Sequence, residues 1–289
     1  MSIEERFEER DVRVGDLKGV VMLPAGPARA GLVLSDGSGP ATRDAWQVVP
    51  AWLAERGVAT LRHDKPDTWR AQSFADRAAE ALTALAVLRR EAAVERAGLI
   101  GYSQGGWVAL AAAVTAPDRV GFVVTVSGPA VTPAEQERVR MERAMRAAGL
   151  SPEVIEAGLR WADERAARLL AGEAPEAVLR AQAAQRAEPW HPHVADGPYA
   201  TAEDLGFVAR NAAFDPADLL PFLPCPILAI FGGADELVPV ERSVAVLGER
   251  LSGRHRGRNG LIVVPGAGHM PPPERFLPVL GEFIDLMSA

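Results

Sequence analysis

Gly101-Tyr102-Ser103-Gln104-Gly105 sets a serine between two glycines. A serine hydroxyl attacks carbonyl carbon poorly until a neighbouring base takes its proton. Histidine titrates in the range that suits this task, and the chain has five, at positions 63, 191, 193, 255 and 269. His269 stands in Val264-Pro265-Gly266-Ala267-Gly268-His269-Met270, a glycine-rich turn after the last apolar run. Such a loop can carry an imidazole back over a sheet edge. An imidazole in this role needs a carboxylate to fix its tautomer and stabilise its charged form. Phe231-Gly232-Gly233-Ala234-Asp235-Glu236 offers Asp235, with Glu236 pointing elsewhere from the same turn. The chemistry such a set performs is acyl transfer: Ser103 as nucleophile, His269 as general base and Asp235 as its orienting acid.

A tetrahedral intermediate also needs two preorganised donors for its negative oxygen. The backbone N–H of Gln104, directly after the serine, is one candidate. The other falls in Ser35-Asp36-Gly37-Ser38-Gly39-Pro40, where the glycines let backbone approach a reacting carbon. The Ser38 N–H is the first choice there and Gly39 the second.

These residues must be carried by a frame. Apolar, β-branched runs at 19–23, 31–34, 58–61, 97–101, 120–126, 226–231 and 261–264 are bounded by Gly, Pro or Asp. Most are apolar throughout, as strands covered on both faces are. Helical stretches lie between them at 46–56, 74–91, 104–116, 240–251 and 275–287, with Ser73 placed to cap the second. Alternating strand and helix predict an α/β fold with a doubly wound, mostly parallel sheet. The serine then sits on a sharp turn from strand into helix, exposed at the C-terminal edge of the sheet. The alternation breaks over residues 131–210, which are rich in Ala, Glu and Arg and carry helical periodicity. The chain accordingly divides into a core domain of residues 1–130 and 211–289 and a helical cap insertion of residues 131–210.

With 289 residues, 48% of them hydrophobic, the chain can bury a full core. A net charge of −7 speaks against nucleic acid as a partner, because phosphate binding wants a basic face. A charged N-terminus without an apolar signal core, and no apolar run of membrane-spanning length, set the expectation of a cytoplasmic protein that does not bind membrane. A single cysteine, Cys225, excludes an intrachain disulfide and reads as a small buried residue. His191 and His193 alternate in a Pro-rich turn, but no Cys or Glu cluster completes a metal site beside them. No metal or organic cofactor is expected. His63-Asp64-Lys65 ends a strand on the site's side and reads as loop-organising, while Tyr102 and Trp107 flank the elbow, where pocket lining and packing explain them equally well.

The serine, aspartate and histidine stations together resemble the α/β-hydrolase superfamily, over about residues 20–286 apart from the cap. Gly37-Ser38-Gly39-Pro40 with Arg43-Asp44, then Leu61-Arg62-His63-Asp64-Lys65, look like the esterases of its dienelactone-hydrolase-like and prolyl-oligopeptidase-like branch. Two departures keep the substrate from being carried over. Asp36-Gly37 stands where that branch usually has His-Gly, and Ser103 stands where dienelactone hydrolases proper use cysteine. The resemblance implies hydrolysis of an ester, thioester or amide of a small molecule through an acyl-serine. Two other readings use the same residues: an acyltransferase or cyclase whose cap excludes water, and a ligand-binding protein on a hydrolase fold. Helical caps also pair subunits in such proteins, which admits a homodimer.

Overall fold

The computed structural model describes residues 7–46, 48–251, 253–255 and 257–288. The apolar runs form strands β2 (Leu17–Pro24), β3 (Ala30–Ser35), β4 (Val58–His63), β5 (Ala97–Tyr102), β6 (Val123–Val126), β7 (Ile227–Gly232) and β8 (Gly260–Val264), and a charged segment ahead of them forms β1 (Phe7–Val14). They make one sheet in the order β1-β2-β4-β3-β5-β6-β7-β8. From β4 to β8 every pairing is parallel, and β1 and β2 add an antiparallel end. The central strands β3, β6 and β7 are buried at every position, as strands covered on both faces must be.

Strand β1 carries no strand signal in the sequence, where the segment reads only as a charged N-terminus. It pairs with β2 along its whole length, from Phe7 opposite Pro24 to Val14 opposite Leu17. Its Glu8, Glu9, Arg10, Asp11 and Arg13 hide the strand signal. They also suit a sheet edge, where charges discourage pairing with a second chain.

Helices α1 (Val48–Ala54), α2 (Phe74–Ala92) and α3 (Gln104–Thr115) follow β3, β4 and β5. Helix α2 starts where expected: the Ser73 hydroxyl accepts from Asp76 N, and the Asp76 carboxylate accepts from Ser73 N. Six short or longer helices separate β6 from β7: α4 (Pro133–Ala147), α5 (Pro152–Leu170), α6 (Pro175–Ala183), α7 (His191–Val194), α8 (Ala202–Asn211) and α9 (Pro216–Leu219). Helices α10 (Val240–Arg250) and α11 (Pro273–Ser288) flank β8. The stretch expected as one helix over 46–56 is shorter, with Gln47 outside the described residues.

Apolar side chains of α2, α3 and α10 cover one face of the sheet, and those of α1 and α11 cover the other. A third cluster, built on Met141, Met145, Leu159, Trp190 and Leu205, lies within the helices after β6. Two buried polar side chains organise it. Arg165 Nη1 donates to Gln182 Oε1 (2.9 Å) and to the Val194 carbonyl (2.6 Å). Gln182 Nε2 donates to the carbonyls of Ala195 (3.0 Å) and Tyr199 (2.8 Å). This helical unit is tied to the sheet domain at defined points. Asn211 Oδ1 accepts from Phe74 N (2.7 Å), Arg70 pairs with Asp204 (2.8 Å), and Arg143 Nη1 donates to the Asp235 carbonyl (2.9 Å).

Candidate active site

Ser103 sits between β5 and α3 with φ +50° and ψ −121°, a backbone conformation that non-glycine residues rarely adopt. The surroundings hold it there. Its N–H donates to the Val126 carbonyl (2.8 Å), and its own carbonyl accepts from Gly106 N (2.8 Å). The turn is too tight for side chains on either side. A Cβ on Gly101 would lie 2.0 Å from the Gly105 carbonyl oxygen, and one on Gly105 would lie 2.2 Å from that of Ser35. The glycines of the motif are therefore a steric requirement of the elbow.

The other two stations lie on neighbouring loops that are laced together. Gly233 N donates to the Val264 carbonyl (2.8 Å) and Ala234 N to that of Ala267 (2.7 Å), binding the turn after β7 to the turn after β8. Across it, His269 Nδ1 lies 2.9 Å from Asp235 Oδ2. The other carboxylate oxygen accepts from Leu237 N (2.8 Å) and Val238 N (3.0 Å). Burial alone would raise the Asp235 carboxyl. The hydrogen bonds from His269 and the Val238 amide, the nearby imidazole charge and the Leu237 amide outweigh it and hold the group below its ordinary range. An ionised carboxylate can only accept, so Nδ1 carries the proton in this hydrogen bond. The neighbouring Glu236 is exposed.

Ser103 and His269 line the same cavity, together with Tyr102, whose ring centre is 5.2 Å from that of His269. No hydrogen bond joins Ser103 to His269 among the described residues. Such bonds commonly tighten only when substrate is bound.

The loop after β3 passes over the elbow. A Cβ on Gly37 would lie 3.2 Å from that of Ser103, and Ser38 lines the cavity beside Ser103. Gln104 opens α3, where the first backbone N–H groups have no partner within the helix. Of the supports of this loop, Asp64 and Lys65 are legible in the sequence as loop-organising, and Arg77 and Trp46 are not. Lys65 Nζ donates to the carbonyls of Gly37 and Gly39 (2.6 Å to the latter), on either side of Ser38. Arg77 Nη2 donates to the Asp36 carbonyl (2.8 Å) and its Nη1 to Gln104 Oε1 (2.7 Å), joining the loop to the start of α3. Trp46 Nε1 donates to Asp36 Oδ1 (2.7 Å). Arg43 pairs with Asp64 (2.8 Å), so His63-Asp64-Lys65 does organise this loop. One signal was present: Arg77 falls on the apolar face of α2 with Phe74, Ala78 and Ala81, where an unpaired cation calls for a partner.

These groups feel the burial. The Lys65 amine is lowered to about 7 by desolvation and by the Arg77 charge, against the opposing pull of Asp36 and Glu80. Desolvation lowers Arg77 to about 10, again offset in part by Asp36 and Glu80. The Asp36 carboxyl is raised by burial despite the Trp46 hydrogen bond and the nearby cations. Desolvation and the Asp235 charge push the Tyr102 hydroxyl up to about 12, so it stays protonated in neutral water. The Cys225 thiol is buried and also pushed up to about 12, which makes it inert.

The cavity has two lobes that share Ser38 and Ser103. The wider one, about 870 Å³, includes Trp46, Tyr102 and His269. The narrower one, about 300 Å³, runs from Gln104 and Trp107 under α4, α5 and α8. Tyr102 and Trp107 both line it, one in each lobe. His191 and His193 lie on α7, outside both lobes, and no group of three or more His, Cys, Asp or Glu side chains converges to hold a metal among the described residues. No helix among them is long and apolar enough to cross a membrane.

The fold and this arrangement define a class. Residues 20–277 match the alpha/beta hydrolase family, and the chain belongs to it. Its class of chemistry is hydrolysis. Solved structures of several hydrolases share the fold. The 2-hydroxy-6-oxo-6-phenylhexa-2,4-dienoate hydrolase of Rhodococcus sp. strain RHA1 is 19% identical, with 97% of this chain and 99% of that one covered at a TM-score of 0.57. A proline iminopeptidase of Mycobacterium smegmatis is 20% identical over 97% and 99%, with a TM-score of 0.58. A dienelactone hydrolase of Anabaena variabilis ATCC 29413 is 19% identical over 97% and 98%, with a TM-score of 0.56.

Proposed function

We propose that this chain is a serine hydrolase that cleaves a carboxylic ester, thioester or amide of a small molecule through an acyl-serine. The observation that carries this reading is the hydrogen-bonded His269–Asp235 pair in one cavity with a serine held on a strained elbow. In this reading the substrate carbonyl lays its oxygen on the backbone amides of Ser38 and Gln104. His269 Nε2 takes the proton of Ser103 as the hydroxyl attacks. The tetrahedral intermediate collapses, and protonated His269 gives its proton to the leaving group. Water then attacks the acyl-serine, with His269 again as base, and the acid leaves. Asp235 stays ionised throughout and stabilises the imidazolium. Lys65 and Arg77 fix the oxyanion loop before substrate arrives, which is when preorganised donors are most effective. Residues 131–210 act as a cap that closes the narrower lobe and bounds the choice of substrate.

The test is hydrolysis of p-nitrophenyl esters from acetate to decanoate by the parent protein and by Ser103→Ala. Turnover in the parent that vanishes in the variant is expected. A parent protein that turns over none of them, and is not labelled at Ser103 by a small fluorophosphonate, would sink the reading.

A further inference from the structure

The reacting carbon of the tetrahedral intermediate carries four substituents, and the two lobes divide them. One is Ser103 Oγ and one is the oxyanion, which faces the amides of Ser38 and Gln104 in the reading above. The third is the leaving atom, which must lie within reach of the proton on His269. His269 lines only the wider lobe. The leaving group therefore occupies that lobe, and the fourth substituent, the acyl chain, is left with the narrower one beside Gln104.

The walls of the narrower lobe are aromatic. Phe74 and Trp107 rise from the sheet domain with ring centres 5.2 Å apart. Trp69 and Phe207 meet edge to face at 5.4 Å, and Phe74 and Phe207 do so at 6.2 Å, closing the rings of the core against α8. Tyr199 completes the wall from the cap. Rings set at these angles offer both faces and edges to a further ring, the geometry aromatic groups prefer. Charged side chains at the lobe are already engaged. Arg138 pairs with Asp163 (3.2 Å), Asp204 with Arg70 (2.8 Å), and Glu137 with Arg140 (2.9 Å). Arg165 spends Nη1 on Gln182 and the Val194 carbonyl, and its guanidinium lies 3.6 Å over the Tyr199 ring. The other guanidinium nitrogen, Nη2, faces Met141 Sδ (3.9 Å), so among the described residues the carboxylates of the lobe and Arg138 have ionic partners and Arg165 is turned to neutral groups. The volume, about 300 Å³, is at the small end for a ligand site.

We propose that the narrower lobe is an acyl subsite for an uncharged aromatic group, so that the substrates are esters of aryl or arylalkanoic acids, with the alcohol portion in the wider lobe. The inference rests on the acyl-serine reading. Each turnover forms the Ser103 ester of the aromatic acid and releases the alcohol, and water then releases the acid, so no co-reactant beyond water is consumed.

The experiment measures kcat/KM for ethyl esters of acetic, hexanoic, 3-phenylpropanoic and succinic (half-ester) acids, which share one small leaving group. It is repeated on Ala166→Trp and on the milder Ala166→Leu, both of which narrow the lobe. Inactivation rates by phosphonates bearing the same groups in place of the acyl chain carry the comparison where turnover is slow. The parent should favour phenylpropanoyl over acetyl by at least about tenfold, and over hexanoyl, as expected for burial of a ring. Narrowing should lower the phenylpropanoyl-to-acetyl ratio by about tenfold, while Val48→Trp in the wider lobe should shift the preference among alcohols and leave that ratio alone. A preference for hexanoyl or hemisuccinyl, or a ratio unmoved by both Ala166 variants, overturns the aromatic subsite while labelling of Ser103 still upholds the nucleophile. Loss of labelling together with all turnover removes the acyl-serine reading, and this inference with it.

Discussion

Asp235 is held from three sides, by His269 Nδ1 and by the amides of Leu237 and Val238. An asparagine would keep the shape but could turn its NH₂ toward the ring, and Nδ1 would then lose the proton that leaves Nε2 basic. Asp235→Asn should fold normally and lower kcat by roughly 10³–10⁴-fold, read by esterase kinetics beside a thermal melt. The same carboxylate links stability to pH. Because its folded value lies below the ordinary 3.8, the native state gives up this proton more readily than the unfolded chain. The stabilisation is fully present above the ordinary value and is lost as pH falls through the lowered one. Melting curves should therefore show the parent's advantage over Asp235→Asn shrinking below about pH 4. Ser103→Ala and His269→Ala should each abolish nearly all turnover, and the double variant should be no worse than the singles, since the two act as one unit.

At the scale of elements, the loop after β3, proposed to hold the oxyanion, is fixed by cations reaching from β4's end and from α2. Lys65→Met should leave the elbow intact and lower kcat more than it raises KM, because the loop's carbonyls lose the donor that aligns Ser38. Its stability effect has a definite sign. With the amine lowered to about 7 from 10.5, the unfolded chain binds the proton and the folded chain does not between those values. Stability of the parent should thus rise relative to Lys65→Met as pH goes from about 7 to 10, a trend that denaturant titrations at three pH values would reveal. Gly105→Ala belongs to the same scale. Its methyl would meet the Ser35 carbonyl oxygen, a backbone atom that cannot swing away, so the soluble yield and melting temperature should fall sharply. Strand β1 shows the opposite lesson: its charged side chains conceal a strand whose pairing is satisfied entirely through backbone groups of β2.

Across the whole molecule, the helices between β6 and β7 and the sheet domain are joined where the narrower lobe opens. Asn211 is buried, accepts from Phe74 N and donates to the Phe207 carbonyl (3.0 Å), so it fixes two of the lobe's aromatic walls at once. Asn211→Leu leaves the buried Phe74 N–H without its acceptor, while the Phe207 carbonyl keeps its place in the α8 ladder, and should cost about 1–3 kcal/mol, measured by urea unfolding. Because Phe74 and Phe207 are freed together, KM for aromatic esters should rise more than KM for acetate. Arg143 ties α4 to the turn after β7 through the Asp235 carbonyl, which joins the helical unit to the His269 side of the cavity as well.

The sequence alone determined the parallel strands, the elbow at Ser103 and the order of serine, aspartate and histidine along the chain. These are local matters: a strand covered on both faces shows as an apolar run, and a turn that admits no Cβ shows as glycine. It also marked the helical stretch after β6, because period and composition change there. Only the tertiary structure decided what meets across distance. That Lys65 and Arg77 grip the loop around Ser38, that Asn211 closes an aromatic wall, and that the cavity divides at Ser103 depend on side chains brought together from separate elements. No spacing along the chain encodes such contacts, because packing, not neighbourhood in sequence, sets which buried charge finds which carbonyl.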